Sequence, residues 1–332
     1  MHDLRRNDYD VTNSVQVSST PAVAVAVREL FTAAFPGKPF DRVAVAFDEF
    51  DKLFTGRMPG YHGVDTVYHD RQHSLDMTLA MARLLVGYER SVEPNMRFGA
   101  ERAVMGLVTS LFHDAGYIRE FGDRQHRNGA EFTLYHVTRS ARFLARFLPS
   151  IGMEHWVPVS TRIVHFTGYE IKLDQIQLTD ARDRKLGHLL GTADLIAQMA
   201  DRCYLEKCRD RLYPEFVLGG VAAATGTDGT LQVRYSSGLD LLRQTPEFVR
   251  ETRVQRLEGE FEHAYRYVET LFDGKNPYLE AIDRNLVFLN RVLRTERWVM
   301  LRRNPPLFTS GDDNQIGQVR GLMLTRLKAL WA

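Results

Sequence analysis

Cysteine is nearly absent from this chain. Its two copies, Cys203 and Cys208, are too few for a disulfide framework or a four-thiolate zinc site, so a reducing compartment is expected. No apolar run approaches the ~20 residues that cross a bilayer, and the polar start MHDLRRNDYDVTNSVQVSST lacks the apolar core of a signal peptide. A soluble, cytoplasmic protein without a membrane partner is the expectation. Excess charge of one sign is missing as well. The 43 Lys and Arg against 42 Asp and Glu leave +1, which removes the net-charge argument for a nucleic-acid partner. Internal repeats and low-complexity tracts are absent. What is present, 44% hydrophobic and 26% charged residues over 332 positions, is the composition of a globular chain able to bury a large core.

Residues 1–20 show no periodicity and read as a flexible leader that ends where Pro21 opens the first helix. From Ala22 on, apolar residues recur at three- and four-residue spacing, for example in AVAVAVRELFTAAF, SLDMTLAMARLL and GHLLGTADLIAQMADRCYLEKC. The fold class is therefore all-α, with one large helical domain over residues 21–303. The stretch LGGVAAATGTDGTLQVRYSSG interrupts it with Gly-rich turns and an alternating LQVRY, a small insertion with the pattern of a hairpin. After RRNPPLFTSGDDN, the segment QVRGLMLTRLKALWA is amphipathic, so residues 304–332 read as a linker and a terminal helix.

Three His-Asp dipeptides occur: His2-Asp3, His69-Asp70 and His113-Asp114. Only the last ends an apolar helix, RAVMGLVTSLF, and precedes a helix-stopping Ala115-Gly116. A polar pair buried there needs partners. Candidates are spaced along the chain on apolar turns or helix faces. His69 and His73 stand at i and i+4 ahead of an apolar continuation, His126 opens HRNGAEFTLYHV, His165 lies in TRIVHFTGYE, and Asp194 lies in HLLGTADLIAQMA. Taken singly, a histidine on such a face is more often a satisfied core group than a ligand. As a set, several His with two Asp suit one or two divalent metals. His62, His136, His155, His188 and His263 read as structural or surface residues, and Cys203 and Cys208 as packing.

In their order, His73, His113-Asp114, His126, His165 and Asp194 resemble the pattern of the HD superfamily of metal-dependent phosphohydrolases, over roughly residues 60–205. YHDRQH is similar to the YHNxxH signature of cyclic-nucleotide phosphodiesterases, and HRNGAEF to a segment of cyclic-di-GMP phosphodiesterases. Two departures stand out: Asp70 replaces the Asn of that signature, and Tyr117 stands where HDxxH ends in His. The resemblance implies an HD-domain helical bundle with extra C-terminal helices. It implies two divalent ions (Mn, Fe, Mg or Zn), one held by His73, His113, Asp114 and Asp194, with Asp114 bridging to a second held by His126 and His165. A metal-bridging hydroxide would attack a small-molecule phosphoester, nucleotide-like in character, and His69 would be the general acid, oriented by Asp70 or a carbonyl. Arg127 and Arg162 are the candidate cations toward substrate. Two other readings stay open: a di-iron HD-type oxygenase, and a non-catalytic nucleotide-binding sensor.

Overall fold

The computed structural model describes residues 5–309 and 314–331. Twelve α-helices carry the described chain: α1 Thr20–Ala34, α2 Asp41–Phe54, α3 Arg71–Ser91, α4 Gly99–Leu111, α5 His136–Ser150, α6 Val157–Ile163, α7 Ala181–Ala200, α8 Tyr204–Lys207, α9 Tyr213–Leu218, α10 Gly238–Glu251, α11 Pro277–Thr295 and α12 Gln315–Leu330. The interruption read from the Gly-rich stretch is a two-stranded antiparallel hairpin, β1 Ala223–Thr225 and β2 Leu231–Val233, with Ala224 opposite Gln232. No helix is long and apolar enough to cross a membrane among the described residues.

Helix α3 is the axis of the bundle. Apart from its first turn it is buried on nearly every side, as expected of a helix whose apolar residues run all round it. Helices α1, α4 and α7 pack against it. Its start is set by Asp70, which accepts the backbone N–H of His73 at 3.1 Å and caps the first turn. The helix therefore begins two residues after His69, later than the i, i+4 spacing of His69 and His73 suggests, and His69 stands in the loop before it. Helix α7, equally enclosed, crosses α3 and carries Asp194.

The leader departs from expectation. Its dipeptide His2-Asp3 lies outside the described residues, but from Arg5 on the segment is folded onto α3. Asp10 is fully buried. It accepts hydrogen bonds from the backbone of Thr12, Ser14 and Val15 and an ion pair from Arg83 of α3 at 2.7 Å. Arg83 also donates to the Tyr278 hydroxyl of α11 at 2.8 Å, so one guanidinium joins leader, axis and C-terminal half. The leader's two buried valines, Val11 and Val17, join the core without a periodic stripe, and the buried charge pair ties the segment to α3.

That pair makes stability depend on acid. Burial pushes the Asp10 carboxyl up, but Arg83 and the hydrogen bonds from Thr12 and Val15 outweigh it and hold the carboxyl at about 2. A depressed folded-state pKa contributes stability that is present above the ordinary carboxylate range and lost as pH falls through the folded value. Asp10→Ala should lower unfolding free energy by about 3–5 kcal/mol, the cost of leaving a buried guanidinium unpaired. It should also flatten the loss of stability between about pH 4 and pH 2. Urea unfolding across that range checks both.

Candidate metal centre

Helix α4 runs out at Leu111, and the chain turns through His113 and Asp114 into a short 3-10 turn, Ala115–Tyr117. The turn fits against α5 because Gly116 has no side chain: a Cβ there would lie 1.8 Å from the carbonyl oxygen of His136. Its N–H donates instead to Ser140 at 2.9 Å. This close approach brings α5 to Asp114. His73 arrives from the first turn of α3 and Asp194 from the middle of α7.

Four groups converge. The Nε2 atoms of His73 and His113 are 3.4 Å apart. His73 Nε2 is 3.5 Å from Asp114 Oδ2 and 3.2 Å from Asp194 Oδ1. His113 Nε2 is 3.3 Å from the first oxygen and 3.8 Å from the second. Adjacent ligands of one ion at ~2.1 Å lie roughly 3.0–3.4 Å from one another, so a slight contraction would seat a cation among them. Both oxygens are buried without a hydrogen-bond partner. His113 donates its Nδ1–H to the Ser110 carbonyl at 2.9 Å, which leaves a lone pair on Nε2. The group His73, His113 and Asp114 could thus hold a metal ion, with Asp194 beside His73.

The electrostatics agree with the geometry. Burial alone would strip charge from His113, but Asp114 and Asp194 outweigh it and push the imidazole up to about 9. Asp114 is held far below the usual carboxylate range against its own burial, chiefly by His113, with His69 and His73 adding to it. Two buried carboxylates demand positive charge here, as a proton or as a metal ion.

A cleft of about 1070 Å³ opens onto this cluster, and His69, His73, Asp114, Tyr117, His136 and Asp194 form its floor. The His69 Nδ1–H donates to Glu215 Oε2 of α9 at 2.6 Å. Glu215 is fully buried, and its Oε1 accepts the backbone N–H groups of Val67 and Tyr68 at 2.6 and 2.5 Å. Glu215 therefore orients His69, and Asp70, spent on capping α3, does not. Burial pulls the His69 pKa down, but Glu215 reverses the sign and raises it. Tyr117 lies flat between two imidazoles, 4.4 Å and 17° from His69, 4.3 Å and 20° from His136. Standing where HDxxH ends in His, its ring packs against two imidazoles that are themselves 6.2 Å apart and tilted by 35°.

His136, read from sequence as structural or surface, belongs to the site. Its Nδ1–H donates to the Thr133 carbonyl at 2.7 Å, and its Nε2 faces Asp114 Oδ1 at 3.7 Å. Burial lowers its pKa, against the pull of Asp114. The two expected outer ligands are placed differently. His126 is part-exposed, with Nδ1 on Asp123 at 2.8 Å and Nε2 accepting from the Tyr135 hydroxyl at 3.1 Å, so both nitrogens are occupied. His165 is buried in the turn Val164–Thr167, but it forms no ion pair with Asp114 and does not line the cleft. Arg127 and Arg162 are exposed and also stand away from the cleft. Comparison with family models, with curated proteins and with solved structures finds no match to this chain.

Metal content measured by elemental analysis after reconstitution separates these placements. His113→Ala and Asp194→Ala should lose the bound ion, whereas His126→Ala should keep the wild-type content. An equal loss in His126→Ala would put that residue back among the ligands.

Proposed function

We propose that the protein is a metal-dependent phosphoester hydrolase of the HD type, acting on a small molecule of nucleotide character. The observation that carries this reading is the His69–Glu215 pair beside the four-group cluster. A divalent ion held by His73, His113, Asp114 and Asp194 supplies Lewis-acid polarisation of a phosphoryl oxygen and a lowered pKa for water. The chain's own residues do the rest. Glu215 favours the charged form of His69, and the Tyr117 ring fixes the plane in which its proton is presented to the cleft. An imidazolium so placed can protonate a departing alkoxide. Oxidative cleavage of a C–C or C–P bond leaves no alkoxide to protonate, and a sensor needs no acid, so this pair favours hydrolysis over both alternatives.

The cleft supports a planar, polar substrate. Beyond the acid, its walls include Phe216, Tyr235, Phe248, Gln244 and Gln255, and the Phe216 and Tyr235 rings stack at 6.0 Å and 22°. Such rings and amides suit a heterocycle, by stacking and by hydrogen bonds at its edge. The hairpin insertion leads Arg234 to this wall, 5.2 Å from the Tyr235 ring and without an ion pair among the described residues. It takes the place toward an anionic substrate that sequence had assigned to Arg127 and Arg162.

His69→Ala should lower turnover of an alkyl phosphoester by about 10²–10⁴-fold while an activated aryl ester, whose leaving group needs no proton, falls much less. Equal losses on both would remove the acid role. Glu215→Gln should shift the alkaline limb of kcat/KM to lower pH. Activity is lost as the acid deprotonates, and the carboxylate that raises its pKa is then gone; an unmoved limb would separate Glu215 from His69. Arg234→Ala should raise KM for a nucleotide-type ester by about 10-fold or more with kcat kept, as expected for one lost charge-assisted hydrogen bond.

A further inference from the structure

A histidine that binds metal through one ring nitrogen needs a partner for the other, because that hydrogen bond fixes its tautomer and the plane of its ring. His113 has the Ser110 carbonyl. His73 makes its side-chain polar contacts through Nε2 alone, to His113, Asp114 and Asp194. Its ring lines the large cleft and also a second, smaller cavity of about 10 Å³, about the room that one water requires.

The polar groups around this small cavity are nearly all spent. Asp201 accepts the Cys203 N–H on one oxygen at 2.6 Å and Lys207 on the other at 2.5 Å. Lys207 also donates to Gln72 Oε1 at 3.1 Å. Gln198 Oε1 accepts the Tyr68 hydroxyl at 3.3 Å. Asp76 lies on the same wall, and its Oδ1 is buried and has no hydrogen-bond partner. Asp76 follows His73 by three residues on α3, hence on the same face. A buried carboxylate oxygen without a donor is costly, and the ring of His73, whose polar contacts all run through Nε2, lines the same cavity.

We infer that one internal water fills this cavity, accepting the Nδ1–H of His73 and donating to Oδ1 of Asp76, and that Asp76 is a positioning residue for the cation site. The water stands on the cavity alone; its consequence for metal affinity rests on the metal reading of the cluster. By holding the ring of His73, the Asp76–water pair keeps Nε2 aimed at the two carboxylates and makes it a better ligand.

The test is chelator competition for Mn²⁺ and for Zn²⁺ with the full-length chain, its Asp76→Leu variant and its Asp76→Asn variant, each checked for cooperative unfolding. Leucine removes the acceptor and fills the space, so affinity should fall about 10–100-fold. Asparagine keeps an acceptor oxygen and should stay within about threefold of wild type. Wild-type affinity in Asp76→Leu, or a loss in Asp76→Asn as large as in Asp76→Leu, overturns the proposal. If Asp76→Leu does not fold, a high-resolution crystal structure of the metal-free wild type decides. A water bonded to both His73 Nδ1 and Asp76 Oδ1 is expected, and a cavity without one, or His73 bonded to another group, overturns it. Wild type that takes up neither ion overturns the metal reading instead, and the same crystal structure still judges the water.

Discussion

Two carboxylate oxygens, one on Asp114 and one on Asp194, are buried beside two imidazole nitrogens with no hydrogen bond to satisfy them. In a low-dielectric interior this arrangement is costly unless positive charge enters it, and much of the surrounding structure serves to hold it open. Three helical segments are pinned independently so that the four side chains meet. Asp70 caps α3 beneath His73, Gly116 lets the turn after α4 lie on α5, and the enclosed α7 delivers Asp194. Without a cation, His113 is driven to take a proton, which is the same demand met in another way.

Around that charge the chain builds asymmetry. On one side Glu215 raises the pKa of His69, against which Tyr117 stacks, and on the other His136, whose pKa burial lowers, faces the second oxygen of Asp114. The two imidazoles are shifted in opposite directions, although a single tyrosine ring stacks against both. The difference comes from Glu215, which meets His69 directly and has no counterpart at His136 that outweighs burial. This division of labour is what a hydrolytic reading uses.

Much of the centre was legible in the sequence. His73, His113, Asp114 and Asp194 sit within strongly periodic apolar segments, where a polar residue stands out against its helix. The helical body and the hairpin were legible for the same reason, that local spacing reports a local fold. His126 and His136 are ten residues apart in one segment, and the choice between them depends on a close approach at Gly116 that involves backbone atoms of another element. Glu215 lies 146 positions from its partner in a stretch that reads as ordinary helix, and its only signal was a carboxylate within the largely apolar YPEFVLGG. The leader looked loose because the ion pair of Asp10 with Arg83, 73 positions away, and the isolated buried Val11 and Val17 leave no periodic trace.

The account stands on one cation among His73, His113, Asp114 and Asp194. Anomalous diffraction from crystals of the chelated protein after addition of Mn²⁺ locates it directly. A single strong peak within about 2.0–2.4 Å of His73 Nε2, His113 Nε2 and one oxygen of each aspartate is the predicted result. A peak elsewhere, or ordered His73 and His113 bonded to the two carboxylates with no peak between them, would contradict it.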